Sequence, residues 1–214
     1  VPQRDRINSV EKGVLGPERK SQILSIDEEK ITAYHEAGHA LVASTMSHAD
    51  PVHKVSIVAR GRAAGYTLKL PSEDRHLYSR SHFLAELAVS LGGYAAEKLI
   101  FKDLTTGASD DLRKATDLAR SLVMRFGMSD KVGPISFGEK DEMIFLGRDF
   151  ASERNYSEDT AKLIDQEIKS FMTEACEKAT CILIERKDKL EQLAAHLIAK
   201  ETIEREEYDK MING

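Results

Sequence analysis

The stretch Ser25-Ile26-Asp27-Glu28-Glu29-Lys30-Ile31-Thr32-Ala33-Tyr34-His35-Glu36-Ala37-Gly38-His39-Ala40-Leu41-Val42 sets the reading of the whole chain. It opens on Ser25-Ile26-Asp27-Glu28, a serine followed three residues later by a glutamate. That is the reciprocal capping pattern of a helix N-terminus. Ile31, Tyr34, Ala37, Leu41 and Val42 then recur at helical spacing, so the pattern predicts a helix from Ser25 to about Met46. Asp50-Pro51 ends it. Within this helix His35 and His39 stand four residues apart, on one face and about one turn from each other.

That spacing carries chemistry. Two imidazoles so placed can bind one Zn²⁺ at about 2.0–2.1 Å each. Glu36, one residue along, need not ligate. It can reach the metal's water, hold its proton and pass that proton to a leaving amine. Zinc lowers the pKa of its water to about 7, so a nucleophile exists at neutral pH. A catalytic zinc also wants a third protein ligand and an open position. The residues after His39, Ala40-Leu41-Val42-Ala43-Ser44, hold neither the glycine nor the third histidine that some zinc peptidases place there. The third ligand therefore lies elsewhere, among Glu97, Asp110, Asp111, Asp117 and the remaining histidines. Asp111 suits it geometrically, sitting in the first turn of a predicted helix just after a Thr/Gly loop.

Working outward, Val52–Val58 is short, β-branched and roughly alternating, and Tyr66–Leu70 repeats the pattern before Pro71. Both read as strands, joined by the glycine-bearing loop 60–65 into a small antiparallel ribbon. Residues 81–101 read as one helix with Leu84, Leu87, Ala88, Leu91, Ala95 and Leu99 on one side. The Gly92-Gly93 pair inside it costs roughly 1 kcal/mol per glycine and points to close backbone packing or a kink. Thr105–Ala108 reads as a loop and Ser109 as the N-cap of a helix to Phe126, stopped by Gly127. Residues 128–156 look irregular, with a short strand near Met143–Leu146. Ser157 caps a long helix through about Arg186, and shorter helices follow near Lys189–Ala199 and Glu204–Ile212. The fold class expected is mainly α, a helical array with a small antiparallel β-ribbon beside the histidine helix.

Composition narrows the function classes. The chain has 214 residues with 41% hydrophobic and only 6% aromatic content and no Trp, which suits a helical core better than a β-sandwich. Against 31 Lys and Arg stand 36 Asp and Glu, a net charge of −5, so bulk charge argues against nucleic-acid binding. Cys176 and Cys181 would stand about 140° apart around a helix, poor for a disulfide or a shared metal. No apolar run reaches the ~20 residues that span a bilayer. Residues 1–22, polar and interrupted by Gly13, Gly16 and Pro17, read as a linker or junction. Residues 23–214 read as the functional domain.

The segment Thr32–Ala40 resembles the peptidase domain of the FtsH family, membrane-anchored ATP-driven zinc proteases of bacteria, mitochondria and chloroplasts. The resemblance extends in order and spacing through Gly16–Ser21, Asp50–Val55, Gly61–Gly65, Leu91–Gly93, Thr106–Leu112, Gly127–Ser129, Phe145–Arg148 and Ile164–Glu167, covering the chain from about Val14 onward. It implies that Asp111, not Asp110, is the third zinc ligand beside His35 and His39, with Glu36 catalytic. It implies that Glu97 lies near the metal and orients a ligating imidazole. It also implies that Gly65, Tyr66 and Thr67 form the edge against which substrate is laid in extended form. Tyr66 stands where smaller residues are common in the family, and would narrow a pocket beside the zinc.

The same resemblance implies unfolded protein or peptide substrates, a hexameric ring, and an ATPase and a membrane anchor upstream. ATP would be used only by that upstream part. The full-length protein would sit in a bacterial inner membrane, or an organellar inner or thylakoid membrane, with this module in the cytoplasm or its equivalent. Two other readings remain at the level of sequence. One is an oligomerisation platform for the upstream ATPase with a silent metal site, and the other is a standalone intracellular metallopeptidase.

Overall fold

A computed structural model describes residues 25–59, 64–71, 75–137 and 156–214. Helix α1 runs Ile26–Thr45, with Ser25 as its N-cap and the reciprocal Ser25–Glu28 bonds both formed. It is half-exposed at first, then buried all round from His35 to Ala43. The apolar stripe predicted one buried face; the structure instead runs this helix through the centre, with neighbours on every side.

Strand β1 (Val52–Ser56) and strand β2 (Tyr66–Lys69) pair antiparallel, Val55 opposite Thr67 and Ser56 opposite Tyr66. A third strand, β3 (Thr202–Glu204), pairs antiparallel on the other side of β1, giving the order β2-β1-β3. The expected two-stranded ribbon is therefore a three-stranded sheet. A three-residue strand between two helices carries too short a pattern to register as alternation. β2 is left as one edge.

The single helix expected over 81–101 is two helices. These are α2 (Arg80–Ser90) and α3 (Gly92–Phe101), broken at Leu91. The glycine pair explains the break. A Cβ on Gly38 would stand 2.5 Å from the Gly92 carbonyl oxygen, and one on Gly92 would stand 2.8 Å from that of Gly38. Only glycine at both positions lets α1 and α3 cross backbone against backbone.

A 3₁₀ turn, Thr106–Ala108, leads into helix α4 (Ser109–Met124). The N-cap expected at Ser109 is not formed. Ser109 is the first helical residue, and Thr105 caps the preceding turn by accepting from the Gly107 N–H at 3.1 Å. The 3₁₀ turn satisfies the backbone that a serine cap would otherwise serve. Gly127 follows α4 with φ of 59°, the left-handed conformation glycine tolerates. Ser157 caps the long helix α5 (Glu158–Glu185), followed by α6 (Lys187–Lys200) and, after β3, α7 (Arg205–Asn213). The strand expected near Met143–Leu146 and the junction over 1–22 lie outside the described residues.

Leu41, Leu87, Leu91, Leu122, Leu183, Leu190, Leu193, Leu197 and Ile203 are fully buried and knit α1, α2, α4, α5, α6 and β3 into one core. Tyr208 of α7 closes it, its buried hydroxyl donating to the Ala40 carbonyl at 2.7 Å and lying 2.9 Å from Ser44 Oγ. The chain is mainly α with a small antiparallel sheet packed against the histidine helix.

Candidate metal centre

His35 and His39 are each 8% exposed, deep in the buried part of α1. Their Nε2 atoms lie 3.0 Å apart. Asp111 Oδ2 lies 3.1 Å from the first and 3.3 Å from the second. A tetrahedral ion with bonds of 2.0–2.1 Å sets its ligand atoms about 3.3 Å apart, so all three separations fit one such ion with a further position open.

The far side of each ring fixes which nitrogen faces that point. His39 Nδ1 lies 2.7 Å from the Val89 carbonyl, which can only accept, so Nδ1 carries the proton. Val89 sits in the last turn of α2, next to the break at Leu91, where its carbonyl can also reach the imidazole. His35 Nδ1 lies 2.7 Å from Glu97 Oε1 and donates to it. Both Nε2 lone pairs, together with a carboxylate oxygen, therefore aim at a common point. Three electron-rich atoms held so closely in a buried place repel one another unless a cation or a proton sits among them.

Electrostatics of the side chains say the same. Burial alone would lower the His35 pKa, but its bonds to Asp111 and Glu97 outweigh this and push it up to about 10. Burial would raise the Asp111 carboxyl, yet its hydrogen bonds to His35 and His39 hold it well below the ordinary range. A divalent ion answers the demand for positive charge that otherwise draws a proton onto His35. The donor set, two imidazoles and one carboxylate, is one that Zn²⁺ takes in catalytic sites.

Glu97 is 1% exposed and works at both ends. Oε1 receives His35, and Oε2 accepts the Thr105 backbone N–H at 2.8 Å. Burial would raise this carboxyl, but the bonds from His35 and Thr105 lower it overall. One side chain thus ties the histidine helix to the turn that delivers Asp111. Gly93 makes room for the same ring, since a Cβ there would stand 2.4 Å from His35 Cε1 and Nε2.

The other carboxylates considered for the third ligand lie elsewhere. Asp110 is exposed and bonded to Arg113 at 2.7 Å, and Asp117 is exposed on α4. A second grouping, Asp50, His82 and Glu86, also brings ligand-type atoms within 4.8 Å of one another. It already carries its own cations: Arg75 Nη1 lies 3.3 Å from Asp50 Oδ1, and Lys69 Nζ lies 2.6 Å from Glu86 Oε2.

Glu36 is 7% exposed, and burial raises its carboxyl above the usual range. Its Oε2 accepts from Thr67 Oγ1 at 2.8 Å. Tyr66 and Thr67 open edge strand β2, and Gly65 immediately precedes it. Tyr66 is 8% exposed and packs as a buried residue. Sequence reasoning missed two contacts, Val89 O on His39 and Thr67 Oγ1 on Glu36. A backbone carbonyl leaves no residue-type signal, and a strand threonine is too common to point at one partner.

The sequence profile of Peptidase family M41 matches residues 22–211. The chain is 48% identical over 213 residues to the ATP-dependent zinc metalloprotease FtsH 1 of Thermomicrobium roseum, covering 100% of this chain and 33% of that protein. The FtsH 1 of Sphaerobacter thermophilus matches at 48% over the same span, with the same coverage of each chain. The FtsH 3 of Petrotoga mobilis matches at 47% over 208 residues, 97% of this chain and 32% of that one. The chain thus spans about a third of the length of these curated relatives. With the paired histidines, the glutamate between them and the distant aspartate all falling inside the matched span, this chain belongs to peptidase family M41.

Proposed function

We propose that the chain is the zinc-dependent peptidase module of a longer, ATP-dependent, membrane-associated protease, hydrolysing peptide bonds of unfolded protein. The observation that carries this is the convergence of His35 Nε2, His39 Nε2 and Asp111 Oδ2 on one point, with both Nδ1 atoms committed to fixed acceptors. His35, His39 and Asp111 would hold the zinc, and Glu97 would keep His35 in its ligating tautomer.

When bound, zinc supplies a water of lowered pKa and polarises the scissile carbonyl. The protein's own residues do the rest. Glu36 takes the proton of the attacking water and later delivers it to the leaving amine. Its raised carboxyl pKa suits both halves of that task. The edge of β2 offers backbone groups to an extended peptide, and main-chain pairing of this kind accepts many sequences. A substrate threaded as a strand at Gly65–Thr67 lies beside Glu36. No described helix is long and apolar enough to cross a membrane. Membrane attachment and the ATPase belong in this reading to the remainder of the longer protein, which assembles with this module as a homo-hexamer.

The test is metal content and casein cleavage of the chain against Glu36→Gln. The expected result is about one zinc per chain in both, with cleavage lost in the variant. Equal cleavage by the two sinks the assignment.

A further inference from the structure

A general base on a glutamate has a difficulty. The side chain has three rotatable bonds, and ordering it costs rotamer freedom. A base that must meet a proton within hydrogen-bond reach needs something to hold it. In this fold α1 fixes only the Cα of Glu36, and a second element must fix the carboxylate.

That element is β2. Thr67 Oγ1 lies 2.8 Å from Glu36 Oε2 and 3.2 Å from the Glu36 backbone carbonyl. One hydroxyl thus spans both ends of the same residue and sets how the side chain folds back on its own helix. Thr67 is well suited to the task. Its β-branch stiffens χ1, and its backbone is fixed opposite Val55 in the β1–β2 ladder. Two residues earlier the strand comes closer still. A Cβ on Gly65 would stand 2.9 Å from Glu36 Cγ, 2.8 Å from the Ser56 carbonyl oxygen and 2.9 Å from Thr32 Cγ2. The side chain of Glu36 therefore lies against a strand that is bare at 65 and carries a hydroxyl at 67.

Resting on the peptidase reading, we propose that Thr67 is a positioning residue for the reaction: its side-chain hydroxyl anchors Glu36 Oε2 and leaves Oε1 to carry the proton. The strand offered to the substrate's backbone and the anchor of the base are then one element. A peptide laid along β2 is registered against Glu36 by the strand that holds Glu36 in place. This role of the hydroxyl is separate from any backbone pairing by residue 67, and the two predict different kinetics.

The test compares the wild-type chain with T67V, T67S and E36Q, each assayed for zinc content and for kcat and KM on one fluorogenic peptide. T67V keeps shape and strand propensity but loses the hydroxyl; T67S keeps the hydroxyl. The expected result for T67V is a kcat about 10- to 100-fold lower with KM within about twofold and zinc content unchanged. T67S should return kcat to within about threefold of wild type. Should T67V lose zinc, T67A takes its place with the same expectations. Wild-type kcat in T67V overturns the proposal alone, as does a loss confined to KM or an equal kcat loss in T67S. Equal cleavage by wild type and E36Q overturns the proposal together with the peptidase reading.

Discussion

Glu97 Oε1 lies 2.7 Å from His35 Nδ1 while Glu97 Oε2 takes the Thr105 N–H, so one buried carboxylate spans from the histidine helix to the aspartate's turn. Partners of this kind raise ligand basicity and typically carry 10- to 100-fold in metal affinity. Glu97→Gln keeps an acceptor for one side only and should weaken zinc binding about 10-fold. Glu97→Ala, which releases both, should weaken it further and lower cleavage at limiting zinc. Competition titration against a chromophoric chelator measures both. Wild-type affinity in Glu97→Ala would show that the contact does not support the metal.

Gly93 offers a steric test of the same ring. Gly93→Ala adds only a methyl, but that methyl would meet the His35 ring at 2.4 Å. The ring sits on a buried helix backed by Gly92 and Ala96, so it has little room to move aside. The variant should stay helical yet lose most zinc binding, with overpacking costing about 1–3 kcal/mol of stability. Circular dichroism with metal analysis separates the two effects. Full zinc content in Gly93→Ala would contradict the packing described.

Asp110 and Asp111 are neighbours with opposite fates, one paired to Arg113 in solvent and the other turned in toward both histidines. Asp111→Asn should abolish stable zinc binding and cleavage. Asp110→Asn should stay within about threefold of wild type, because exposed ion pairs contribute little. Reversal of that order by the same activity assay would reassign the third ligand.

The charges predict a pH signature in the chelator-treated chain. His35 is raised from 6.5 to about 10, so its stabilising contribution is complete below about pH 6.5 and is lost as pH rises toward 10. Asp111 is lowered, so its contribution is present above its unfolded value near 4 and is lost as pH falls below that. The metal-free chain should therefore lose thermal stability from pH 6.5 to 9. Zinc binding releases protons, so the stabilisation that zinc adds should grow over the same interval. Melting curves with and without chelator test this, and parallel curves across the interval would exclude it.

Part of this arrangement is written locally and part is not. The capping pair Ser25 and Glu28 fixes where α1 begins, and four-residue spacing fixes that His35 and His39 share a face; both are properties of a dozen consecutive residues. The glycine pair at 92 and 93 announced close packing, but only the crossing of α1 over α3 shows that one glycine admits a backbone and the other an imidazole. Asp111 could not be singled out by spacing. Its approach to His35 depends on the break at Leu91, the turn held by Glu97 and the start of α4 together. Asp110 offers the same chemistry one residue away, and family resemblance, not spacing, told the two apart. β3 escaped because its pairing partner lies about 150 residues away, and three residues cannot show a period of two.

The Tyr208 hydroxyl reaches the Ala40 carbonyl across 168 residues of sequence. A ribosome delivers these two residues at different times, at roughly 5–20 residues per second. Until α7 emerges, the helix bearing both histidines lacks its last cover, and β1 lacks its second neighbour. On the peptidase reading, a chain stopped before α7 should therefore cleave poorly.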